Sequence, residues 1–413
     1  MFAIRFTRVS CTNKFTMKIQ RMRRYYAVVS AAFILWGVIY LMVSYQSLKL
    51  TATSRQAVPE LAATSSRPEP DKNRRRMKHH PNGTCNENTN IVFINVHQAG
   101  GSIVSNILQR FGDRRNLTFV LPKEENSDST GWPYCFHTDH MLPSSNGQYN
   151  ILCNHAVYNR RELQKIMPTD TSYVTMLRNP EQQFESLFNR YRFGKFLGIH
   201  SPDPFRSFLK NPEQFMSRVA SNANERFMLH NPMAYDLGFD PENFNDEKEI
   251  VNLIEDIKKD LQLVMISDYL DESLVLLKRQ MCWSLDDVAY IKHSDLKVHS
   301  EHREEMPSTL RSRLREWNNV DHYLYQFFNK TFWKTVLAQG DGFDREVEQL
   351  RDLSRQISEV CLTEKIDQDG SEDRLQTLKI PFDTSLCDKM DTSVPEYTRI
   401  LRSKPNQYLK WEL

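Results

Sequence analysis

The chain contains no GxxxxGK(S/T) run and no GxGxxG run, which removes the usual phosphate loops of nucleoside triphosphatases and of dinucleotide-binding folds. Its cysteine spacings match no zinc site, and no DxD pair stands near an expected strand end, which disfavours a metal-dependent glycosyltransferase. No internal repeat is visible. The net charge is only +2 over 413 residues, so no global field draws nucleic acid, and no nucleic-acid partner is expected. Two further absences are local. Residues 1–24 hold seven cations and no acid, and no charged side chain occurs between Arg24 and Lys49.

That uncharged gap contains Tyr25 to Tyr45 (YYAVVSAAFILWGVIYLMVSY), apolar and long enough to cross about 30 Å of hydrocarbon as a helix. Tyr25, Tyr26, Tyr40 and Tyr45 place aromatics at both interfaces. No small-residue cleavage site comes after it, so an uncleaved anchor fits better than a signal peptide. With the cations on the cytosolic side, the rest of the chain is expected in a lumen. The organisation then reads as a cytosolic basic tail (1–24), a transmembrane signal-anchor helix (25–45), a luminal stem (46–88), a folded domain (89–360) and a C-terminal extension (361–413). The stem is polar and aperiodic. Its basic run Lys72 to His80 reads as a solvated linker, with proteolytic cleavage or attraction to anionic glycans as the alternatives. Cys11 falls in the tail, leaving Cys85, Cys135, Cys153, Cys282, Cys361 and Cys387. Six in an oxidising lumen predict up to three disulfides of undetermined pairing. Sequons at Asn82, Asn116 and Asn329 are available for glycosylation on that side.

From Asn90 the texture changes. Asn90 to Val96 reads as a buried strand, His97 to Ser102 as a small polar loop, and the residues after it as an amphipathic helix presenting Val104, Ile107, Leu108 and Phe111. Further strands are expected at Gln148 to Asn154, Ser172 to Leu177 and Leu261 to Ser267. A helix starts at Pro180 with Phe184, Leu187, Phe188 and Tyr191 on one face, and another at Asp271. Alternating strands and helices predict an α/β fold with a central parallel sheet, whose ligands sit outside the carboxyl ends of the strands. Beyond Pro307 the chain is helical and aromatic, from Leu310, Leu314 and Trp317 to Phe328, Phe332 and Trp333. Helix packing is the expected use of those rings, ahead of a sugar-stacking platform. After Cys361 the sequence is polar, a disulfide-tethered tail or a cap.

A strand, a glycine turn and a helix N-terminus together offer free N–H groups and a positive dipole end to a phosphate. Gln98, Ala99, Gly100, Gly101 and Ser102 are therefore candidate anion ligands, although Gly-Gly at such a turn also serves plain turn chemistry. His97, His155 and Arg178 all fall just past expected strand ends. Arg178 at a strand end and Ser186 two turns into the next helix are spaced to converge on a second phosphate. Two anion positions suggest a nucleotide phosphorylated at two ends.

In order, the blocks NIVFINVHQAGGSIVSNILQRFG, ILCNH, VTMLRNPEQQFESLF, DYLDESLVLLKRQMCW and LYQFFNKTFW resemble the galactose-3-O-sulfotransferase family over Asn90 to Val336. The resemblance implies a central parallel sheet of the P-loop-like sulfotransferase type at 89–360, with 3′-phosphoadenosine 5′-phosphosulfate as co-substrate and no metal. It also implies a single-pass type II protein of the Golgi membrane with a luminal catalytic domain, acting on a galactose-terminated glycolipid or glycoprotein glycan. Assembly as a homodimer stays open. By position, His97 to Ser102 would take the 5′-phosphosulfate and Arg178 with Ser186 the 3′-phosphate. His155 or His97 would be the base on the galactose 3-hydroxyl. One departure stands out: the family loop resembles KTHKTG, and its two lysines are Asn95 and Gln98 here. A missing charge-assisted contact to the departing phosphate costs on the order of ~3 kcal/mol. A catalytically weakened glycan- or nucleotide-binding relative is therefore the alternative, unless Lys123 or Arg160 supplies the charge.

Overall fold

A computed structural model of the chain describes residues 85–125, 127–292, 306–364, 384–405 and 407–409. The expected tail, the membrane-spanning stretch and the stem up to residue 84, with the Asn82 sequon, lie outside the described residues. Among those described, no helix is long and apolar enough to cross a membrane.

Four parallel strands form the central sheet: β1 (Ile91–Ile94), β2 (Ile151–Leu152), β3 (Ser172–Leu177) and β4 (Leu263–Ile266), in the spatial order β2-β1-β3-β4. Val92 lies opposite Leu152 on one side and Tyr173 on the other, and Val174 lies opposite Leu263. Nearly every strand residue is buried, because helices cover both faces and the strands are apolar throughout rather than alternating. Strand β3 has the expected limits. Strand β2 is cut to two residues because flanking groups take other partners. Before it the Asn150 backbone N–H donates to the Thr118 carbonyl, and after it the His155 backbone donates to the Asp128 carbonyl and accepts from the Thr130 amide. The chain leaves β1 for β2 on one side and then crosses to β3 and β4 on the other. The topological switch point therefore falls between β1 and β3, where such sheets bind ligands.

Helix α1 (Gly101–Arg114) buries Val104, Ile107, Leu108 and Phe111, as their spacing predicts. Helix α2 (Pro180–Arg190) begins at Pro180, with Asn179 capping the Glu181 amide, and buries Phe184, Leu187 and Phe188. Tyr191, expected on that face, stands just past the last turn and is 41% exposed. Then come α3 (Pro232–Asp236), α4 (Glu247–Asp260), α5 (Leu270–Met281), α6 (Ser308–Trp317), α7 (Asn319–Leu337), α8 (Phe343–Glu364), α9 (Thr384–Asp391) and α10 (Val394–Arg402). Phe184, Phe188, Phe193, Phe205 and Phe208 gather with Leu314 and Trp317 into an apolar cluster between α2 and α6. The expected aromatic run is split: Trp317, Phe328 and Phe332 are buried, Tyr325, Phe327 and Trp333 are partly buried, and Tyr323 faces out.

The C-terminal segment docks on α1. Asn106 donates to the Lys389 and Thr392 carbonyls, Gln109 donates to the Val394 carbonyl, and Asp113 pairs with Lys389, Lys404 and the Tyr397 hydroxyl. Cys361 bonds Cys387, and Cys85 bonds Cys282, joining the approach to β1 with the end of α5. Cys153 is a buried free thiol, pushed up to about 12 by its apolar surroundings, so the six cysteines do not form three pairs among themselves. Of the sequons, Asn116 is exposed in the turn after α1. Asn329 is half-buried in the middle of α7 with its Oδ1 enclosed, a poor glycan acceptor in the folded chain.

Candidate active site

Segments just past the carboxyl ends of the strands build the site. After β1 the chain reaches His97, then reverses through Gln98 (φ 56°) and Gly100 (φ 87°), both left-handed, and enters α1 at Gly101. Glycine is required at 100 by that conformation and at 101 by close packing, since a Cβ on Gly101 would overlap Asn95 Oδ1. The first turn of α1 carries no acidic residue and no side-chain cap, which leaves its N–H groups for an anion. Ser102 is exposed there and Ala99 is buried beneath.

Past β3, Arg178 Nη1 donates to the Gln98 carbonyl at 3.3 Å, and from α2 Ser186 Oγ donates to Gln98 Oε1 at 3.1 Å. A guanidinium, a hydroxyl and a helix N-terminus thus meet at the mouth of the glycine turn. Gln183, one α2 turn before Ser186, donates to the His97 carbonyl at 2.7 Å and pins the loop from beneath.

His97 is buried, and Asp236 of α3 holds it. Asp236 Oδ2 accepts from the His97 backbone N–H at 2.9 Å and from its Nδ1 at 2.8 Å, while Oδ1 accepts from Trp132 Nε1 at 3.0 Å. A carboxylate only accepts, so Nδ1 carries a proton toward Asp236, and in the neutral form of the ring Nε2 is the acceptor. The His155 ring stacks on His97 at 4.1 Å between centroids and 12° between planes, with its Nδ1 2.9 Å from the Asn95 carbonyl. The same reasoning gives His155 a free Nε2. Burial, reinforced by the neighbouring His97, depresses the His155 pKa to about 4 and keeps that ring neutral near pH 7.

Neither Asp236 nor Trp132 is marked by any sequence pattern, since Asp236 lies 139 residues from its histidine. Its position is enforced from α7. Asp321 accepts the Met233 and Ala234 amides at the start of α3, and buried Asn231 accepts the Val320 and Asp321 amides. Burial pushes Asp321 up to about 7.

The side-chain donors of Asn95 and Arg160 both stand away from the cradle. Asn95, where the resembling family has a loop lysine, does not offer its amide to the cradle. Its Nδ2 donates to Ser105 Oγ and the Cys153 carbonyl, tying β1 to α1 and to the chain after β2. Arg160 cannot supply the missing charge. It donates to the Asp260 carbonyl and lies over the Tyr173 ring, at the amino end of β3, away from the edge that carries Arg178. The carbonyl of Lys123 accepts from Arg402 of α10. Among the described residues, no group of three or more His, Cys, Asp or Glu is placed to hold a metal.

A galactose-3-O-sulfotransferase family model matches residues 13–386. Galactose-3-O-sulfotransferase 3 of Homo sapiens is 36% identical over 278 residues, 66% of this chain and 63% of that protein. Galactose-3-O-sulfotransferase 2 of Homo sapiens is 37% identical over 68% of this chain and 69% of its own length. Galactosylceramide sulfotransferase of Homo sapiens is 31% identical over 78% and 75% respectively.

Proposed function

The chain belongs to the galactose-3-O-sulfotransferase family, and on that premise we propose that it transfers a sulfuryl group from 3′-phosphoadenosine 5′-phosphosulfate to the 3-hydroxyl of a galactose on a glycolipid or glycoprotein. The observation that supports this most directly is the Asp236–His97 pair, standing beside a glycine turn whose mouth carries Arg178 and Ser186. The donor supplies the activated sulfuryl group and a phosphate leaving group. The α1 N-terminus with Gln98 to Ser102 holds the phosphosulfate end, and Arg178 with Ser186 holds the 3′-phosphate.

His97 Nε2 takes the proton of the 3-hydroxyl as its oxygen bonds to sulfur. The sulfur–oxygen bond to the phosphate breaks, and the nucleoside 3′,5′-bisphosphate departs as an anion. Asp236 keeps the imidazole in the receptive tautomer and faces the imidazolium that forms. His155, disfavoured as a cation by burial and by its neighbour, stays neutral and lines the site. The natural setting is the Golgi lumen, with Tyr25 to Tyr45 as the anchor.

Incubating the purified full-length chain with labelled donor and terminal galactosides tests this, and no transfer to any galactoside overturns it. A second reading is favoured by Asn95, whose amide is engaged inside the fold rather than at the cradle. It is a relative that binds donor and glycan but turns over slowly. Donor affinity in the usual range with transfer near background would select it.

A further inference from the structure

Sulfuryl transfer to a sugar needs an acceptor seat as well as a donor cradle, and the cradle at the glycine turn provides only the latter. Around the stacked histidines, the residues outside the donor turn are unusually aromatic. The Trp132 ring centroid lies 4.9 Å from that of His97, tilted by 57°, and Tyr191 approaches edge-on at 6.3 Å. Both rings are partly open to solvent, unlike the buried phenylalanines behind them. Those phenylalanines make the open rings rigid. Tyr191 stacks on Phe193 at 5.8 Å and 16°, and Trp132 packs against the cluster of Phe184, Phe188 and Phe205. One edge of Trp132 is also fixed by its hydrogen bond to Asp236.

A polar group completes the setting. The Asp128 carbonyl accepts the His155 backbone amide at 3.2 Å, so the exposed Asp128 side chain stands on the segment that borders the stacked histidines. Half-exposed rings held rigid next to a reactive imidazole, with a solvent-facing acid alongside, match the needs of one ligand class. Galactose has an axial 4-hydroxyl, so its opposite face presents a continuous patch of C–H groups that rests on aromatic rings. Its hydroxyls then point outward toward acceptors such as a carboxylate.

We infer that Trp132, Tyr191 and Asp128 form the seat of the terminal galactose, holding its apolar face on the two rings and its hydroxyls toward Asp128 while the 3-hydroxyl meets His97. This rests on the proposed transfer reaction, yet it makes its own prediction about binding. Trp132 also positions Asp236, so Tyr191 and Asp128 are the informative sites.

With the full-length chain, binding of methyl β-galactoside and methyl β-glucoside is measured by saturation-transfer NMR. Donor-site affinity is measured in parallel by calorimetry with adenosine 3′,5′-bisphosphate. Galactoside binding should exceed glucoside binding, Tyr191→Ala and Asp128→Asn should each weaken it tenfold or more, and Tyr191→Phe should restore it by keeping the ring. Bisphosphate affinity should stay within about twofold in all three. Where transfer is measurable, the same loss should appear in KM rather than in kcat. Tyr323→Ala, an exposed ring on α7, serves as the control and should change nothing. Equal galactoside binding in wild type and Tyr191→Ala, no galactoside binding by wild type, or a parallel fall in bisphosphate affinity would each overturn the assignment. A chain that binds galactoside through Tyr191 but transfers nothing would sink the reaction and leave the seat standing.

Discussion

Stacked 4.1 Å apart, the rings of His97 and His155 cannot both carry charge at low cost, and burial disfavours the cation at His155. His97 faces a carboxylate, His155 a backbone carbonyl. On the proposed mechanism, His97→Ala and Asp236→Asn should each lower kcat by two to four decades. The asparagine would turn an N–H toward Nδ1 and favour the wrong tautomer. Because the two act as one unit, the double variant should be little worse than either single variant, which steady-state kinetics on the three proteins would show. Losses that add in full would separate Asp236 from the chemistry. Gln98 makes the opposite case. It sits left-handed and half-buried at the mouth of the turn, touching Arg178 and Ser186. Gln98→Lys places a cation beside the departing phosphate and should raise kcat by about ten- to a hundredfold. An unchanged kcat would mean that Arg178 already supplies the charge missing from the loop.

At the scale of elements, the short helix α3 matters out of proportion to its five residues. Too short to be stable alone, it is held by buried polar contacts to the start of α7, chiefly those of Asn231. Asn231 is also left-handed (φ 47°), a conformation its side chain tolerates and a methyl group does not compensate. Asn231→Ala leaves two buried amides without an acceptor and should cost about 2–3 kcal/mol. It should also lower kcat at least tenfold by loosening Asp236, although residue 231 touches no substrate group in the proposed reaction. Thermal unfolding and kinetics on the same preparation check both. A destabilised variant with full activity would show that Asp236 is held by Trp132 and the loop alone. The elements themselves are largely legible in the sequence. The four strands, their parallel arrangement and the buried faces of α1 and α2 come from periodicity, because apolar spacing is a local property of the chain. The shortness of β2 and the outward turn of Tyr191 are not legible, since backbone partners from other segments cut one short and a helix end released the other.

For the whole molecule, two partly buried histidines contribute to the response to acid. His155 and His230 both have folded-state pKa values lowered to about 4, mainly by burial, against an ordinary value of 6.5. Between those values the unfolded chain binds more protons, so their contribution is complete above pH 6.5 and is lost as pH falls toward 4. Asp321, raised to about 7, works the other way and gains stability as pH falls over the same range. His230 stacks on Trp317 at 4.1 Å and takes no part in the proposed chemistry, which makes it the cleaner probe. His230→Gln should remove about 2 kcal/mol of the stability loss between pH 7 and pH 5, read as a flatter Tm-against-pH curve. A curve parallel to that of wild type would show that His230 is not buried as a neutral ring.

The chain by itself determined the α/β class, the strand ends at which His97, His155 and Arg178 stand, and the glycine turn between β1 and α1. Strand periodicity and turn chemistry are written in neighbouring residues and need no partner to be read. Only the tertiary structure decided that Asp236 would hold His97, that Asn95 would turn inward to Ser105, and that Trp132 and Tyr191 would flank the imidazoles. Each of these joins groups whose contact depends on how separate elements pack, and no local spacing carries that information.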